Sequence, residues 1–278
     1  MYDLNHLAKH LRSASLKKKD ATFIQLHEND RLISFEEFFK NAEKIASALI
    51  SAGIKPGDRV AMQVEKSYSA LELYFGTILA GAGFLPLNTA FVAEEIDFFL
   101  RDAQPSIFVC DPSKLSNLTK IAKSNEVNHL WTLSADSTGS LTDAKNAESS
   151  GFTGVKRNPE DLAAVLYTSG TTGRSKGAML THRNLQSNAE ALVKSWHFTN
   201  KDILIHALPL YHTHGLFVAT NVSLLAGSSM LLMKKFDAEA ICRRMPQTSV
   251  LMGVPTFYVR LLENPDLENS AINMRLFV

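Results

Sequence analysis

Five consecutive apolar residues, Leu162-Ala163-Ala164-Val165-Leu166, give way without transition to Tyr167-Thr168-Ser169-Gly170-Thr171-Thr172-Gly173-Arg174-Ser175-Lys176-Gly177. An apolar run that short reads as a strand buried on both faces, and the glycines and hydroxyls after it mark the point where the backbone leaves the sheet. Gly170, Gly173 and Gly177 permit positive φ and close backbone approach, so that several N–H groups can converge on one anion. Thr168, Ser169, Thr171, Thr172 and Ser175 add hydroxyl donors, and Lys176 adds a full positive charge. The stretch therefore reads as a polyphosphate-binding loop. It is not a Walker A loop, which requires Gly, four residues and then Gly-Lys-Ser/Thr; here Lys176 follows Ser175. A mobile surface turn is the alternative reading of such a cluster.

The rest of the chain alternates strands with helices. Residues 22–27 and 31–34 read as a hairpin, Ser34-Phe35-Glu36-Glu37 as a capping box opening a helix with Phe38, Ala42, Ile45, Ala46 and Leu49 on one face, and Gly53 as its stop. Residues 60–64, 106–110 and 127–133 read as strands, and residues 67–80 and 93–101 as helices. Beyond the loop, Thr181 caps a helix carrying Leu185, Ala189 and Leu192, Asp237 caps another, and Pro255 opens a third. Residues 203–208, 229–233, 250–253 and 274–278 are strands, with residues 216–225 a helix. The alternation predicts an α/β fold of two doubly wound, mostly parallel-sheet lobes. Residues 134–160, rich in Ser, Asp, Thr and Gly, read as a linker. The expected organisation is a first α/β lobe with linker over 1–160 and a second lobe carrying the loop over 161–278.

With 278 residues, 45% of them apolar, the chain can bury a sizeable core. Its net charge of +1 gives no electrostatic case for nucleic acid or an anionic membrane. No stretch approaches the roughly 18 apolar residues of a membrane span. Cys110 and Cys242 lie far apart in apolar sequence and read as reduced core thiols, which favours a cytoplasmic location.

The segment Tyr167 to Gly177 resembles the signature loop of the adenylate-forming superfamily, which includes acyl-CoA synthetases, luciferases and peptide-synthetase adenylation domains. Ser175 stands where most members carry Pro. The resemblance covers the whole chain but only the N-terminal half of such an enzyme. It implies that Thr168, Ser169, Gly170, Thr171, Thr172, Gly173, Lys176 and Gly177 bind ATP, with Lys176 on the β- and γ-phosphates and Thr168 turned toward Mg²⁺. A strand-end hydroxyl is the plain alternative for Thr168. CoA is the implied co-substrate. The segments expected next in the family, an acyl loop, an adenine segment and a C-terminal domain with the adenylation lysine, are not in this sequence, so the chain alone is expected to be inactive, and its terminal strand to lie uncovered.

A second constellation, Pro209-Leu210-Tyr211-His212-Thr213-His214-Gly215, follows the strand ending at Leu208. His206, His212 and His214 lack the helical spacing and the glutamate of a zincin, and no cysteine or paired carboxylate lies beside them. Local backbone hydrogen bonds suffice to explain His206 and His214. By resemblance, His212 lines the acyl pocket and is assigned a catalytic and substrate-binding role, while Gly253-Val254-Pro255 forms the pocket wall; an ordinary strand-to-helix turn is the alternative for the latter. The combination with Arg174-Ser175 most resembles malonyl-CoA synthetases, acting on malonate or methylmalonate. A dicarboxylate needs a counter-charge at its distal end, which a protonated His212 would supply in part and, by resemblance, an arginine beyond residue 278 more strongly. Two other readings stay open: a ligase for another short or medium acid, and a non-catalytic nucleotide- or partner-binding remnant.

Overall fold

The computed structural model describes residues 2–168 and 175–278. In chain order the elements are α1 (His6–Arg12), β1 (Thr22–Leu26), β2 (Leu32–Ser34), α2 (Phe35–Ser51), β3 (Arg59–Gln63), α3 (Tyr68–Leu79), β4 (Gly83–Pro86), α4 (Ala93–Ala103), β5 (Ile107–Cys110), α5 (Leu115–Ser124), β6 (His129–Thr132), α6 (Ser140–Asn146), β7 (Leu162–Thr168), β8 (Lys176–Thr181), α7 (His182–Ser195), β9 (Ile203–His206), α8 (Thr220–Ala226), β10 (Ser229–Leu232), α9 (Ala238–Arg244), β11 (Val250–Met252), α10 (Pro255–Leu262), α11 (Leu267–Ser270) and β12 (Leu276–Phe277). They form two six-stranded sheets, in the orders β6-β5-β3-β4-β7-β8 and β12-β11-β9-β10-β1-β2. Every pairing is parallel except the two hairpins, β7–β8 and β1–β2. The two parallel-dominated sheets are those the alternating pattern requires, because strands returning in parallel need a long crossover between them.

The chain divides into two compact units, Met1–His10 with Phe39–Gln186, and Leu11–Phe38 with Ser187–Val278. This division differs from a boundary at residue 160. β7 pairs in parallel with β4, Phe84 opposite Ala164, which draws residues 161–186 into the first unit. β1 pairs in parallel with β10, Ile24 opposite Met230, which draws an early hairpin into the second. The 134–160 stretch is not all linker either. It holds α6, whose Leu141 is buried and whose Lys145 reaches Glu72, at 3.3 Å and fully buried on α3.

Local chemistry explains the element ends. Ser67 caps α3 by accepting from the Ala70 amide, and Asp237 caps α9 by accepting from Ala240 at 2.8 Å. Thr181 and Asn184 cap each other at the start of α7, the Asn184 amide donating to Thr181 Oγ1 and the Thr181 amide to Asn184 Oδ1. The core of the first unit is built on Ala61, Leu85, Ile96, Phe99, Leu100 and Phe108; that of the second includes Ile205, Leu231, Ile241, Met245 and Leu251. Cys110 and Cys242 are free and buried, and burial raises both thiol pKa values, that of Cys110 to about 11. No helix among the described residues is long and apolar enough to cross a membrane.

Candidate active site

In the first unit, β7 ends at Thr168 and β8 begins at Lys176, and these two residues are direct cross-strand partners. Opposed residues of an antiparallel pair project to the same face, so the Thr168 hydroxyl and the Lys176 ammonium stand together at the mouth of the hairpin. Both are exposed. Gly177 faces Tyr167 one step further in. Gly177 lies in an extended strand, not at positive φ, so its use there is spatial. A Cβ on it would sit 3.1 Å from Val165 Cγ1 and 3.4 Å from Tyr167 Cε1. Ser169, Gly170, Thr171, Thr172 and Gly173 lie outside the described residues.

One ammonium and one hydroxyl at a shared mouth fit a polyanion. The hydroxyl oxygen, though not the ammonium, also fits Mg²⁺ bound mainly through phosphate oxygens and water, its usual mode. Among the described residues no three His, Cys, Asp or Glu side chains group as a metal site.

The second unit carries the other predicted residues. β9 and β11 are parallel neighbours with His206 opposite Met252, so the His212 turn and Gly253-Val254-Pro255 leave the same, carboxyl edge of one sheet. Ligands of open α/β sheets bind along such an edge. The three histidines part company here. His206 is buried, with Nε2 2.8 Å from the Gly215 carbonyl. His214 has its pKa lowered by burial. His212 is exposed, its ring 4.6 Å from that of Tyr211, and its carbonyl accepts from the Leu216 amide at 3.0 Å. The helix expected over 216–225 begins earlier, as a π-helical turn at His214–Ala219 running into α8. π-Turns are rare and often found at functional sites. Gly215 makes this one possible: a Cβ there would lie 2.0 Å from the Pro209 carbonyl oxygen.

Gly253 packs under Tyr258, whose ring atoms would lie 3.1 Å from an added Cβ, and Pro255 occupies the first turn of α10 behind an extended Val254. Thus Thr168, Lys176 and Gly177 are brought together in one unit, and His212, Gly253, Val254 and Pro255 along one sheet edge in the other.

Two polar centres escaped sequence reasoning. Asp102, near the end of α4, accepts from the Tyr167 hydroxyl at the base of the loop. Asp202 accepts from Arg275 Nε and Nη2, both at 2.7 Å, from Ser249 Oγ at 2.8 Å and from the Thr199 amide at 2.8 Å. Burial alone would raise the Asp202 pKa, but Arg275 and the other donors hold it below the ordinary carboxylate value. Neither acid lies in a motif.

The AMP-binding enzyme family profile matches residues 7–276. The ATP-bound crystal structure of MatB from Rhodopseudomonas palustris superposes with a TM-score of 0.94 at 49% identity, covering 98% of this chain and 54% of that one. A feruloyl-CoA synthase from Amycolatopsis is 31% identical over 84% of this chain and 46% of its own length. The mitochondrial malonate–CoA ligase of Mus musculus is 30% identical over 81% of this chain and 40% of its own length. The chain spans about half the length of the curated relatives it matches.

Proposed function

From the premise that this chain belongs to the AMP-binding enzyme family, we propose that it is part of an ATP-dependent acid–CoA ligase acting on malonate or methylmalonate. The observation that carries the proposal is the pairing of Thr168 with Lys176 at the mouth of the β7–β8 hairpin, which sets a cation and a hydroxyl side by side where a triphosphate is to be gripped. The names of the malonate–CoA ligase relatives, from mouse and from Arabidopsis thaliana, support the choice of acid.

In the proposed reaction a carboxylate oxygen of the acid attacks the α-phosphorus of ATP, and the bond to the β-phosphate oxygen breaks, releasing diphosphate. The CoA thiolate then attacks the acyl carbon and AMP leaves. Mg²⁺, when bound, neutralises phosphate charge and orients the leaving diphosphate. Lys176 holds the β- and γ-phosphates as a charge-assisted donor, and Thr168 presents its hydroxyl to the same cluster. His212, on the carboxyl edge of the second sheet, donates to the acid, and Gly253, Val254 and Pro255 shape the wall beside it. The work of the chain is positioning and charge compensation rather than covalent chemistry. The cytoplasm is the proposed location.

The test is acid-dependent AMP formation in the presence of ATP, Mg²⁺ and CoA, with malonate, methylmalonate, propionate and butyrate compared. Malonate preferred over the monocarboxylates is the expected result. Equal use of butyrate would favour the second reading, a ligase for another short or medium acid, to which the feruloyl and long-chain relatives lend support. No acid-dependent AMP from a protein of the relatives' full length would overturn the ligase reading. The 278 residues alone are expected to turn over at a small fraction of that protein's rate.

A further inference from the structure

Tyr167 is the last residue of β7 before the loop-end threonine, and its surroundings exceed what a strand needs. Its ring packs against Phe99 at 4.6 Å and Phe98 at 6.3 Å between centroids, both on α4. Its hydroxyl donates to the Asp102 carboxylate on the last turn of the same helix. That helix end is itself fixed. Arg59 of β3 donates from Nε to the Ala103 carbonyl at 2.7 Å and from Nη2 to the Gln104 carbonyl at 3.1 Å. Across the hairpin, Tyr167 faces Gly177, where an added Cβ would sit 3.4 Å from the ring and 3.1 Å from Val165 Cγ1.

We propose that the Asp102–Tyr167 pair is a positioning device that fixes the mouth of the β7–β8 hairpin, and so sets Thr168 and Lys176 for phosphate binding. The functional half of this inference rests on the phosphate-site reading above.

The physical case separates the ring from its hydroxyl. Ring burial against Phe98 and Phe99 is satisfied equally by phenylalanine. A hydrogen bond to an exposed carboxylate adds little to global stability, because both partners are well solvated when apart. What it does add is direction: the ring can slide along two phenylalanines, whereas the hydroxyl is tied to a defined acceptor on α4, Asp102. Because Tyr167 and Gly177 are paired, fixing one strand end fixes the other. A binding constellation must be held within a fraction of an ångström by such supporting contacts. Burial, followed by the Asp102 hydrogen bond, raises the phenol pKa, so the hydroxyl keeps its proton and remains a donor across the physiological range.

The test uses Tyr167→Phe, Asp102→Ala and the double variant in the chain as it stands, with two readouts. Amide hydrogen exchange at Thr168, Lys176 and Gly177 is expected to quicken about tenfold in each single variant and no further in the double, while the melting temperature and exchange in β3, β4 and β5 stay at wild-type values. Titration with MgATP is expected to show affinity lowered three- to tenfold in both single variants, with Tyr167→Ala worse. Unchanged exchange at the hairpin mouth, additive effects in the double variant, or exchange quickened throughout the first unit would each overturn the proposal. If wild type binds no MgATP, the phosphate-site reading falls, and the exchange arm still decides whether the pair anchors the hairpin.

Discussion

Replacing Gly215 by alanine tests whether the turn presenting His212 is built as described. The added Cβ would lie 2.0 Å from the Pro209 carbonyl oxygen and 3.1 Å from Leu208 Cβ. Even favourable C–H···O approaches keep carbon and oxygen about 3.3–3.6 Å apart, so the turn must open by more than an ångström. The neighbour is backbone, in a segment with Leu208 and Leu210 buried, and cannot swing aside as a side chain would. Opening it would pull Gly215 from its contact with His206 and the Leu216 amide from the His212 carbonyl. Overpacking a buried site costs about 1–3 kcal/mol, and loss of a buried hydrogen bond about 1 kcal/mol more, so a loss of about 2–4 kcal/mol is expected. Urea unfolding followed by Trp196 fluorescence, in a Trp131→Phe background, reads the second unit alone. Gly253→Ala is the control: the nearest atoms to its Cβ would belong to the Tyr258 side chain, from 3.1 Å, and a side chain can yield. Gly215→Ala within about 0.5 kcal/mol of wild type, or no worse than Gly253→Ala, would refute the steric argument.

Lys176→Ala should weaken MgATP binding by the value of one charge-assisted phosphate contact, about 1.5–3 kcal/mol, seen by calorimetry here and by pyrophosphate exchange in a full-length ligase; unchanged values in both would remove Lys176 from the phosphate site. Asp202→Asn should destabilise the second unit by about 2 kcal/mol, below the usual cost of breaking a buried pair, because the Arg275 side chain is 37% exposed and its solvation softens the loss. The depressed Asp202 pKa stabilises above the unfolded carboxylate value of about 3.9 and is lost as pH falls through the folded value, so a urea midpoint series below pH 5 should flatten in the variant. His182 is fully buried with its pKa lowered from 6.5 to about 4, first by burial and then by Arg157, and its Nδ1 accepts from the Leu7 amide at 3.2 Å. The unfolded chain therefore takes up this proton first, and the first unit should lose up to about 3 kcal/mol as pH falls from about 6.5 to about 4; equal acid sensitivity in His182→Asn would contradict it.

The parts of the fold legible in sequence are those whose cause is local. Asp237, Thr181 and Pro255 each begin a helix by satisfying or omitting amides within the first turn, and each does so in the structure. β8 was not legible. Its residues Lys-Gly-Ala-Met-Leu-Thr are mostly exposed and show no alternation, and only pairing with β7 makes them a strand. α6 was hidden for a related reason: it is short, and it is held by Leu141 and by the long-range reach of Lys145 to Glu72. Nor does any local signal place β1 beside β10. At the site, the phosphate loop and the His212 turn announce themselves by composition, whereas Asp102 and Asp202 are ordinary acids until tertiary structure gives them partners.

β8 changes how the proposed phosphate site has to work. In a Walker-type site the lysine opens a helix, so the amides of the first turn and the helix dipole share the anion's charge with it. Here Lys176 opens β8 and runs antiparallel to the strand it left, and the next helix in the chain, α7, comes only after Thr181. Strand dipoles nearly cancel. The positive charge of the described site therefore resides in a side chain, at the end of a flexible stem, in solvent. Such a charge is effective only if the strand end beneath it is held still and if its partner hydroxyl lies on the same face. The antiparallel register provides the second condition through the Thr168–Lys176 pair, and the packing of Tyr167 on Phe98, Phe99 and Asp102 provides the first.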